Sequence, residues 1–398
     1  MVRALKEDVE ISPDVLRYAM ESSGYDSGSL AKKINASKED VDAWLAGNKK
    51  PSLTKLKDIS KATKYNLAVL LLEEAPKMPS KPKDYRSANK LLVNKTLLAI
   101  RKARNVQSLY TELGGSPEAQ KISLDKYSID TAPESAADKE RGLLAIELKG
   151  SGESGARELL RKYTSVLEKN NILVLQLPMP IDNCRGFSIK DKNPFVIALS
   201  SKDEVYPRLF TLFHEFAHLV LQSKDGAMCI PEESALQWED SNIARVEKWC
   251  NKFAATFLLP ESRVRTNSEV SGLANLIKTT DFSYEVYKQL KSISRKHMVS
   301  YLAFLIRLRS LNLIPETKYN RINEAYKTYA KKEAAGVVKS KKGGGGAKPD
   351  VKAINRNGER FTTLVVRGVK TGKIDYYDAV EYLNANIRTI DKLATRLG

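Results

Sequence analysis

One segment constrains the fold of this chain more than any other. Residues 206–222 have the pattern of a helix rich in large apolar side chains, yet the segment also contains the run Phe213-His214-Glu215-Phe216-Ala217-His218. Imidazole and carboxylate groups are costly to bury among apolar side chains unless they have polar partners. The segment therefore predicts a helix in which two histidines and a glutamate share a partner.

The HExxH spacing of this run points to a metal ion as that partner. Residues four apart lie on the same face of a helix, so His214 and His218 can both face one ion. Neutral imidazole is a good zinc ligand. Glu215 would then take the proton from a zinc-bound water as that water attacks a carbonyl carbon. The alternative is a structural pair of histidines on an amphipathic helix, which the strongly apolar surroundings disfavour.

A third metal ligand has to come from outside the motif, because catalytic zinc sites keep three protein ligands and one open position. Glu247 is the best carboxylate by spacing, since a helix over 243–259 places it beside residues of modest size. The remaining candidates are acidic residues of a less regular stretch and two softer or basic side chains, namely Glu232, Glu233, Glu239, Asp240, Cys250 and His297. His297 lies in a polar stretch and is predicted at the surface.

Composition bounds the class of protein. The chain has 398 residues, which suggests two or three domains, and its 42 % hydrophobic and 29 % charged residues exclude a mainly disordered or collagen-like chain. The formal net charge of +18 suits an anionic partner such as nucleic acid. Three cysteines (Cys184, Cys229 and Cys250) without a CxxC pair favour a reducing compartment and buried core positions. No apolar leader or membrane-spanning run is present, so a cytoplasmic location with no membrane partner is expected.

Residues 12–75 have the pattern of a helix-turn-helix unit, with four short helices and a turn at Asn35-Ala36. In such a unit the start of the third helix, here 38–45, enters the major groove of double-stranded DNA. The candidate DNA contacts are Lys38, Glu39, Asp42, Lys49 and Lys50. Acidic side chains at this place oppose phosphate binding, so a protein-docking role is an equal alternative.

The periodicity predicts an α+β chain of five parts. They are a helix-turn-helix domain (1–77), a linker and helical segment (78–145), a domain with a small sheet and the HExxH helix (146–335), a flexible Gly/Lys-rich linker (336–350) and a small α/β extension (351–398). Strands are predicted at 172–177, 186–189 and 195–199, followed by helices at 206–222, 243–259, 284–290 and 298–311. In the extension, 361–369 is predicted as a strand and 379–393 as a helix, while 114–143 is predicted to be irregular.

Several blocks of residues 172–260 resemble the ImmA/IrrE family of zinc metallopeptidases. The blocks are 172–177, 185–189, 194–200, 212–219, 247–254 and 258–260. The N-terminal unit is similar to the XRE type of helix-turn-helix through 30–33, Val41, Trp44, Gly47 and 51–53. The resemblance implies a zincin-like fold and a glutamate ligand at the position of Glu247.

The resemblance also implies a function. Members of this family resemble site-specific endopeptidases that cleave a transcriptional repressor, itself a helix-turn-helix protein, and so release stress-response or mobile-element genes; a toxin–antitoxin-like association is another family context. The competing hypothesis is a non-enzymatic DNA-binding regulator, or an antitoxin-like protein, with a structural or sensory zinc site. Such a site would fill the fourth position with a side chain such as Cys250 or His297. The oxyanion-stabilising group is left open among Tyr206, Tyr301 and His297.

Overall fold

The structure is a computed structural model that describes residues 8–76, 92–115, 126–147, 150–222, 228–229, 242–336 and 347–397. It is mostly helical with one small sheet, which confirms the α+β class. Parts of both predicted linkers, at 78–91, 116–125 and 337–346, lie outside the described residues. Within the described ranges, every helix is too short or too polar to span a bilayer.

The described elements follow in chain order. The N-terminal unit contains α1 (Pro13–Ser22), α2 (Ser27–Ile34), α3 (Lys38–Leu45), α4 (Leu53–Thr63) and α5 (Leu67–Leu70). The central part contains α6 (Asn94–Glu112), α7 (Pro133–Leu144), α8 (Gly152–Lys169), β1 (Ile172–Leu177), β2 (Gly186–Ile189), β3 (Phe195–Ser200), α9 (Val205–Val220), β4 (Met228–Cys229) and α10 (Asn242–Leu258). The remainder contains α11 (Glu261–Arg265), α12 (Ser268–Thr279), α13 (Tyr284–Lys296), α14 (Tyr301–Ser310), α15 (Glu316–Gly336), α16 (Pro349–Asn357), α17 (Glu359–Lys370), α18 (Tyr376–Leu383) and α19 (Ile387–Leu397).

The four predicted helices of the N-terminal unit are confirmed, and a short fifth helix follows them. Polar side chains just before the helices cap their free backbone N–H groups: Ser37 Oγ accepts from Asp40 N at 3.0 Å, and Ser52 Oγ accepts from Lys55 N at 3.3 Å. Trp44 is buried in the core of the unit, as predicted.

The sheet has the strand order β1-β3-β2-β4, with β1 and β3 parallel and β2 antiparallel to both of its neighbours. Side chains alternate between its faces, so Val174 packs with α8 and α9 while Leu173 and Leu175 pack with α6 and the C-terminal helices. Both faces are covered, which explains the nearly unbroken apolar run of β1.

The secondary structure predicted for the C-terminal extension was wrong. Residues 361–369 lie in α17 rather than in a strand, and residues 379–393 divide at Asn384 into α18 and α19. Phe361, Val365 and Val366 have helical spacing and form the buried face of α17. Short apolar runs satisfy strand and helix patterns equally, and here the packing surface offered by the sheet selects the helix. The extension is therefore all-helical rather than α/β.

Two other stretches differ from expectation. Residues 133–144, predicted to be irregular, form α7, in which Ala136, Ala137 and Leu144 are buried. Pro133 stands at the first helical position, where its missing N–H costs nothing. In the second stretch, residues 268–336, α12 and α15 were not predicted, although Val270, Leu273, Ala274 and Ile277 give α12 a regular apolar stripe.

Arg101 of α6 attaches the N-terminal unit to the rest of the molecule. Its guanidinium donates to Ser23 Oγ at 2.9 Å, to the Thr63 carbonyl at 2.5 Å and to the Lys64 carbonyl at 3.0 Å. It also lies 3.9 Å from the ring centroid of Tyr65. One side chain thus satisfies the carbonyl groups at the end of α4.

Glu168 of α8 attaches the C-terminal helices in a similar way. Its carboxylate is fully buried and accepts from the backbone N–H groups of Glu359 and Arg360, at 3.0 Å each, so it caps the N-terminus of α17. Gly358 precedes that helix at φ +82°, and a Cβ there would lie 2.5 Å from Glu168 Oε1. A carboxylate is favourable at this place because the helix N-terminus carries partial positive charge.

Replacement of Gly358 by Ala is expected to destabilise the C-terminal helices more than replacement of Gly372. Both glycines have positive φ, but a Cβ at Gly372 meets nothing within 4 Å. Gly372→Ala carries backbone strain alone, about 1 kcal/mol, whereas Gly358→Ala also displaces the Glu168 cap, for a total of roughly 2–4 kcal/mol. Urea unfolding, combined with hydrogen exchange of the α17 amides, measures the loss of stability in each variant. Equal losses would contradict the capping role of Glu168.

The Glu168 contact also predicts a pH dependence. Burial raises the pKa of Glu168 from its ordinary 4.5 to about 7, against the opposing effect of its backbone hydrogen bonds. The folded chain therefore holds a proton there that the unfolded chain has lost, and this stabilising contribution is complete below pH 4.5 and lost as the pH rises through 7. The unfolding free energy of the parent minus that of Glu168→Gln is expected to fall over this window. A difference in unfolding free energy that does not change with pH would contradict the prediction.

Candidate metal centre

Helix α9 carries the predicted motif through the middle of the molecule. It packs against β2 and β3 on one side and against α8 and α10 on the other, and His214, Glu215 and His218 are at most 1 % exposed. The apolar character of this helix follows from that position, since nearly every side chain from Leu209 to Val220 is buried.

Helix α10 is held against α9 by aromatic contacts. Phe257 stacks on Phe213 with ring centroids 3.9 Å apart, and Phe253 lies 6.1 Å from Phe216. Trp249 donates from Nε1 to the Thr131 carbonyl at 2.7 Å, which fixes the rotation of α10. The face of α10 that carries Glu247 is thereby turned toward the histidines.

Three ligand atoms converge between the two helices. His214 Nε2 lies 3.1 Å from His218 Nε2 and 3.1 Å from Glu247 Oε2, and His218 Nε2 lies 3.4 Å from Glu247 Oε1. Ligand atoms at 2.0–2.1 Å from a tetrahedral zinc ion stand about 3.3 Å apart. The three side chains are therefore placed to bind a metal ion, as their grouping within 4.8 Å also indicates.

The hydrogen bond of the other His214 nitrogen strengthens this fit. His214 Nδ1 lies 3.0 Å from Asn251 Oδ1, and an amide oxygen can only accept, so Nδ1 carries the proton. The lone pair of His214 is then on Nε2, where it faces the carboxylate of Glu247. A lone pair and a carboxylate at 3.1 Å repel unless a cation lies between them.

The protonation states also suit a metal. Burial lowers the pKa of His218 because the imidazolium ion would lose its hydration, although Glu247 opposes this effect. Burial alone would raise the pKa of Glu247, but the two imidazoles hold it well below its usual range. Neutral histidines and an ionised glutamate are the forms that coordinate metal ions.

Of the competing ligands, those whose side chains the structure describes are not in this cluster. Cys250 and Cys184 are buried in the apolar cores, as predicted for them, and the side chain of Cys229 lies outside the described residues. The acidic candidates Glu232, Glu233, Glu239 and Asp240 also lie outside the described residues. Among the groups that the structure describes, His214, His218 and Glu247 form the site.

The prediction for His297 was wrong. It is 7 % exposed rather than at the surface, because it stands at the end of α13 where the chain turns through the buried residues Met298 and Val299. Its ring lies 6.2 Å from that of Phe304. Tyr301, another oxyanion candidate, stacks on Tyr326 with the ring centroids 3.5 Å apart.

The third oxyanion candidate, Tyr206, stands in the first turn of α9. It is 6 % exposed, and the Arg295 guanidinium lies 5.7 Å from the centroid of its ring.

Two residues that support the site were not predicted to do so from the sequence. Asn251 follows Glu247 by four residues and repeats on α10 the spacing of the histidine pair, which is the signal that would have found it. Gly186 of β2 permits the close approach of α9, since a Cβ there would overlap Thr211 and lie 3.0 Å from the Ala198 carbonyl oxygen and 3.5 Å from Glu215 Cγ. A glycine in a predicted strand, as in Gly186–Ile189, is a signal of such an approach.

The candidate DNA contacts of the N-terminal unit are occupied by acidic partners. Lys38 pairs with Asp42 at 2.9 Å, Lys49 with Asp40 at 2.6 Å and Lys50 with Glu10 at 3.2 Å. Glu39 is exposed beside them. These exposed pairs lower the local positive charge at the lysines that the sequence offered to phosphates, without burying them.

Loss of Asn251 is expected to weaken metal binding. Partners that orient a metal-bound histidine typically contribute about 10–100-fold in affinity, so Asn251→Ala should raise the zinc dissociation constant by that factor. Asn242→Ala, at an exposed position of the same helix, is the matched control and should leave the constant unchanged. Competition with a chromophoric zinc chelator measures both. Equal affinities of the two variants would contradict the orienting role.

Comparison with known families agrees with the geometry. No curated protein and no solved structure matches the chain. Residues 167–309, which hold the sheet, α9, α10 and the three ligand residues, match the family model Peptidase_M78, described as the IrrE N-terminal-like domain. The match supports the ImmA/IrrE relationship and a metallopeptidase-like fold for this part of the chain.

Proposed function

We propose that the chain is a zinc-dependent endopeptidase that cleaves a transcriptional repressor. The observation that carries the proposal is the convergence of His214, His218 and Glu247, with Glu215 next to the first ligand, inside a stretch that matches a metallopeptidase family. Two imidazoles and one carboxylate are a ligand set used by catalytic zinc sites. When bound, zinc supplies a more acidic water and a polarised carbonyl group.

The residues of the chain have separate roles in this proposal. His214 and His218 hold the ion from one helix, and Glu247 holds it from the other. Asn251 keeps His214 in the tautomer that leaves Nε2 free to coordinate. Glu215 moves protons: its carboxylate accepts one from the attacking water and delivers it to the departing amine nitrogen.

The substrate is proposed to enter as an extended segment. Of the predicted strands, β2 and β3 are interior and β1 is an edge, and among the described residues β4 forms the other edge, next to β2. An extended peptide can add to such an edge through main-chain hydrogen bonds. We infer that an exposed loop of a helix-turn-helix repressor binds along β4, because β2 runs close to Glu215.

The N-terminal unit is proposed to recognise that protein partner. Its described part, residues 8–76, has ten basic and eleven acidic residues, so it does not share the positive charge of the whole chain. With Lys38, Lys49 and Lys50 already paired, binding of double-stranded DNA through residues 12–75 is the weaker alternative. A cytoplasmic location, where a repressor would be found, stays a prediction.

Replacement of Glu215 by Gln separates the enzyme from a regulator with a structural or sensory zinc site. The variant is expected to keep about one zinc per chain and to cleave a helix-turn-helix repressor at a rate lower by roughly 10²–10⁴-fold, because the proton carrier is lost. His218→Ala should lose both zinc and cleavage. Elemental analysis and single-turnover cleavage of a repressor encoded by a neighbouring gene measure the two effects.

The outcomes of this experiment are distinct. Cleavage by Glu215→Gln at the parent rate would refute the proposed role of Glu215. Zinc in the parent without cleavage of any helix-turn-helix repressor would favour the regulator with a structural or sensory site. Absence of zinc from the reconstituted parent would remove both hypotheses.

A further inference from the structure

We propose that the C-terminal unit, residues 347–397, contains a second helix-turn-helix, formed by α18 and α19, whose exposed face binds double-stranded DNA. This inference does not depend on peptidase activity. It rests on the backbone geometry of the two helices, on their buried positions and on the charge that they expose.

The geometry of α18–α19 repeats that of α2–α3. Helices α2 and α18 are both eight residues long, and each begins with an aspartate in a capping box, Asp26 and Asp375 respectively. Each ends at an asparagine in the left-handed conformation, Asn35 at φ 52° and ψ 55° and Asn384 at φ 46° and ψ 52°. Among the described helices, these two are alone in combining a capping box with a left-handed asparagine.

The turn that follows is also the same. An alanine N–H bonds back to the carbonyl five residues earlier in both units, from Ala36 to Ala31 at 2.9 Å and from Ala385 to Val380 at 3.2 Å. The next residue is a polar N-cap of the second helix. Ser37 Oγ accepts from Asp40 N at 3.0 Å, and Asn386 Oδ1 accepts from Thr389 N at 2.9 Å.

The buried positions of the two units coincide at equal spacing. Four core residues, two on each helix, are buried where the first helix packs against the second, and in the C-terminal unit both helices also pack against α17. The pairs are Leu30 with Ala379, Ile34 with Leu383, Val41 with Ile390, and Trp44 with Leu393. The match of caps, turn and core makes α19 the counterpart of α3, the helix that enters the major groove in a helix-turn-helix.

The two second helices differ in charge. Helix α3 has one lysine and three acidic residues, whereas α19 has three basic residues and one aspartate. Arg388 and Lys392 are exposed on α19, and neither forms an ion pair with any residue that the structure describes. Residues 347–397 contain ten basic and six acidic residues, in contrast to the balanced N-terminal unit. Among the described residues, α19 therefore has two unpaired cations, Arg388 and Lys392, whereas Arg396 pairs with Asp350 and Lys38 of α3 pairs with Asp42.

Exposed apolar and aromatic side chains stand at the starts of both helices. Ile387, the first residue of α19, is 58 % exposed, and Tyr376 and Tyr377, at the start of α18, are 47 % and 78 % exposed. Tyrosine hydroxyls donate to phosphate oxygens, and an aliphatic side chain at the start of a recognition helix can contact a thymine methyl group. Arg388, beside Ile387, has the donor geometry that reads guanine. Duplex DNA is thus the partner that fits Ile387, Arg388, Lys392 and the two tyrosines, whereas the exposed Asp375, Glu381 and Asp391 of the same helix pair oppose it.

The test compares two double variants of the full chain with equal loss of charge. The probe is a fluorescent DNA duplex of randomised sequence, roughly 20–30 base pairs long, which is enough for one helix-turn-helix unit. Its affinity is measured by fluorescence anisotropy at increasing salt concentration. Arg388→Ala/Lys392→Ala is expected to weaken binding by about tenfold or more and to reduce the slope of log affinity against log salt by about 2. Lys38→Ala/Lys49→Ala, the matched control, is expected to change the affinity by less than about twofold.

Each remaining result overturns the proposal. Equal losses in both double variants would show general attraction to a basic protein, and a loss confined to Lys38→Ala/Lys49→Ala would assign DNA binding to the N-terminal unit. A parent chain that fails to bind the duplex would leave the α18–α19 face as a protein contact surface. Thermal unfolding of each variant ensures that the comparison is between folded chains. Zinc content is measured in parallel, so failure of the peptidase proposal is seen separately.

Discussion

The burial of three metal-ligating side chains between α9 and α10 is the constraint on which the rest of the structure depends. An unpaired carboxylate facing two imidazoles in an apolar interior is unfavourable, so the helices have to hold the ligand atoms at separations that a cation can bridge. The stacking of Phe213 on Phe257 supplies the rigidity for this, because aromatic rings fix both the spacing and the rotation of the helices. The site and the core are therefore one structure.

The sheet divides the molecule into two cores that share its strands. One core contains α8, α9 and α10 with the metal centre, and the other contains α6 and the C-terminal helices. Since the C-terminal helices cover a face of the sheet that would otherwise expose Leu173 and Leu175, they are part of the same packed body. Glu168 links the two cores through its cap on α17, and Arg101 links α6 to the N-terminal unit.

Local patterns with strong periodicity predicted their elements well. The HExxH helix, the three strands and the four N-terminal helices follow from residue spacing, and Glu247 was the best carboxylate by the same reasoning. The prediction of a strand at 361–369 failed because Phe361, Val365 and Val366 also have helical spacing, and the surface that decides between the two is distant in sequence. The prediction that His297 is exposed failed for a related reason. Its sequence neighbours, such as Ser294, are polar, although the turn that they form is buried.

The sequence by itself determined which chemistry the chain can carry, because two histidines four residues apart must share one helix face whatever surrounds them. It also indicated the turn at Asn35, a residue that tolerates the left-handed conformation, but the equivalent turn at Asn384 was missed inside the helix predicted at 379–393. Only the tertiary structure decided that Asn251 orients His214, that Glu168 caps α17 and that Lys38 of α3 is paired with Asp42. It also decided that, of the basic residues of α19, Arg396 is paired with Asp350 while Arg388 and Lys392 lack an ion pair among the described residues. Most of these facts depend on side chains that meet across long sequence separations, and no local pattern records such contacts.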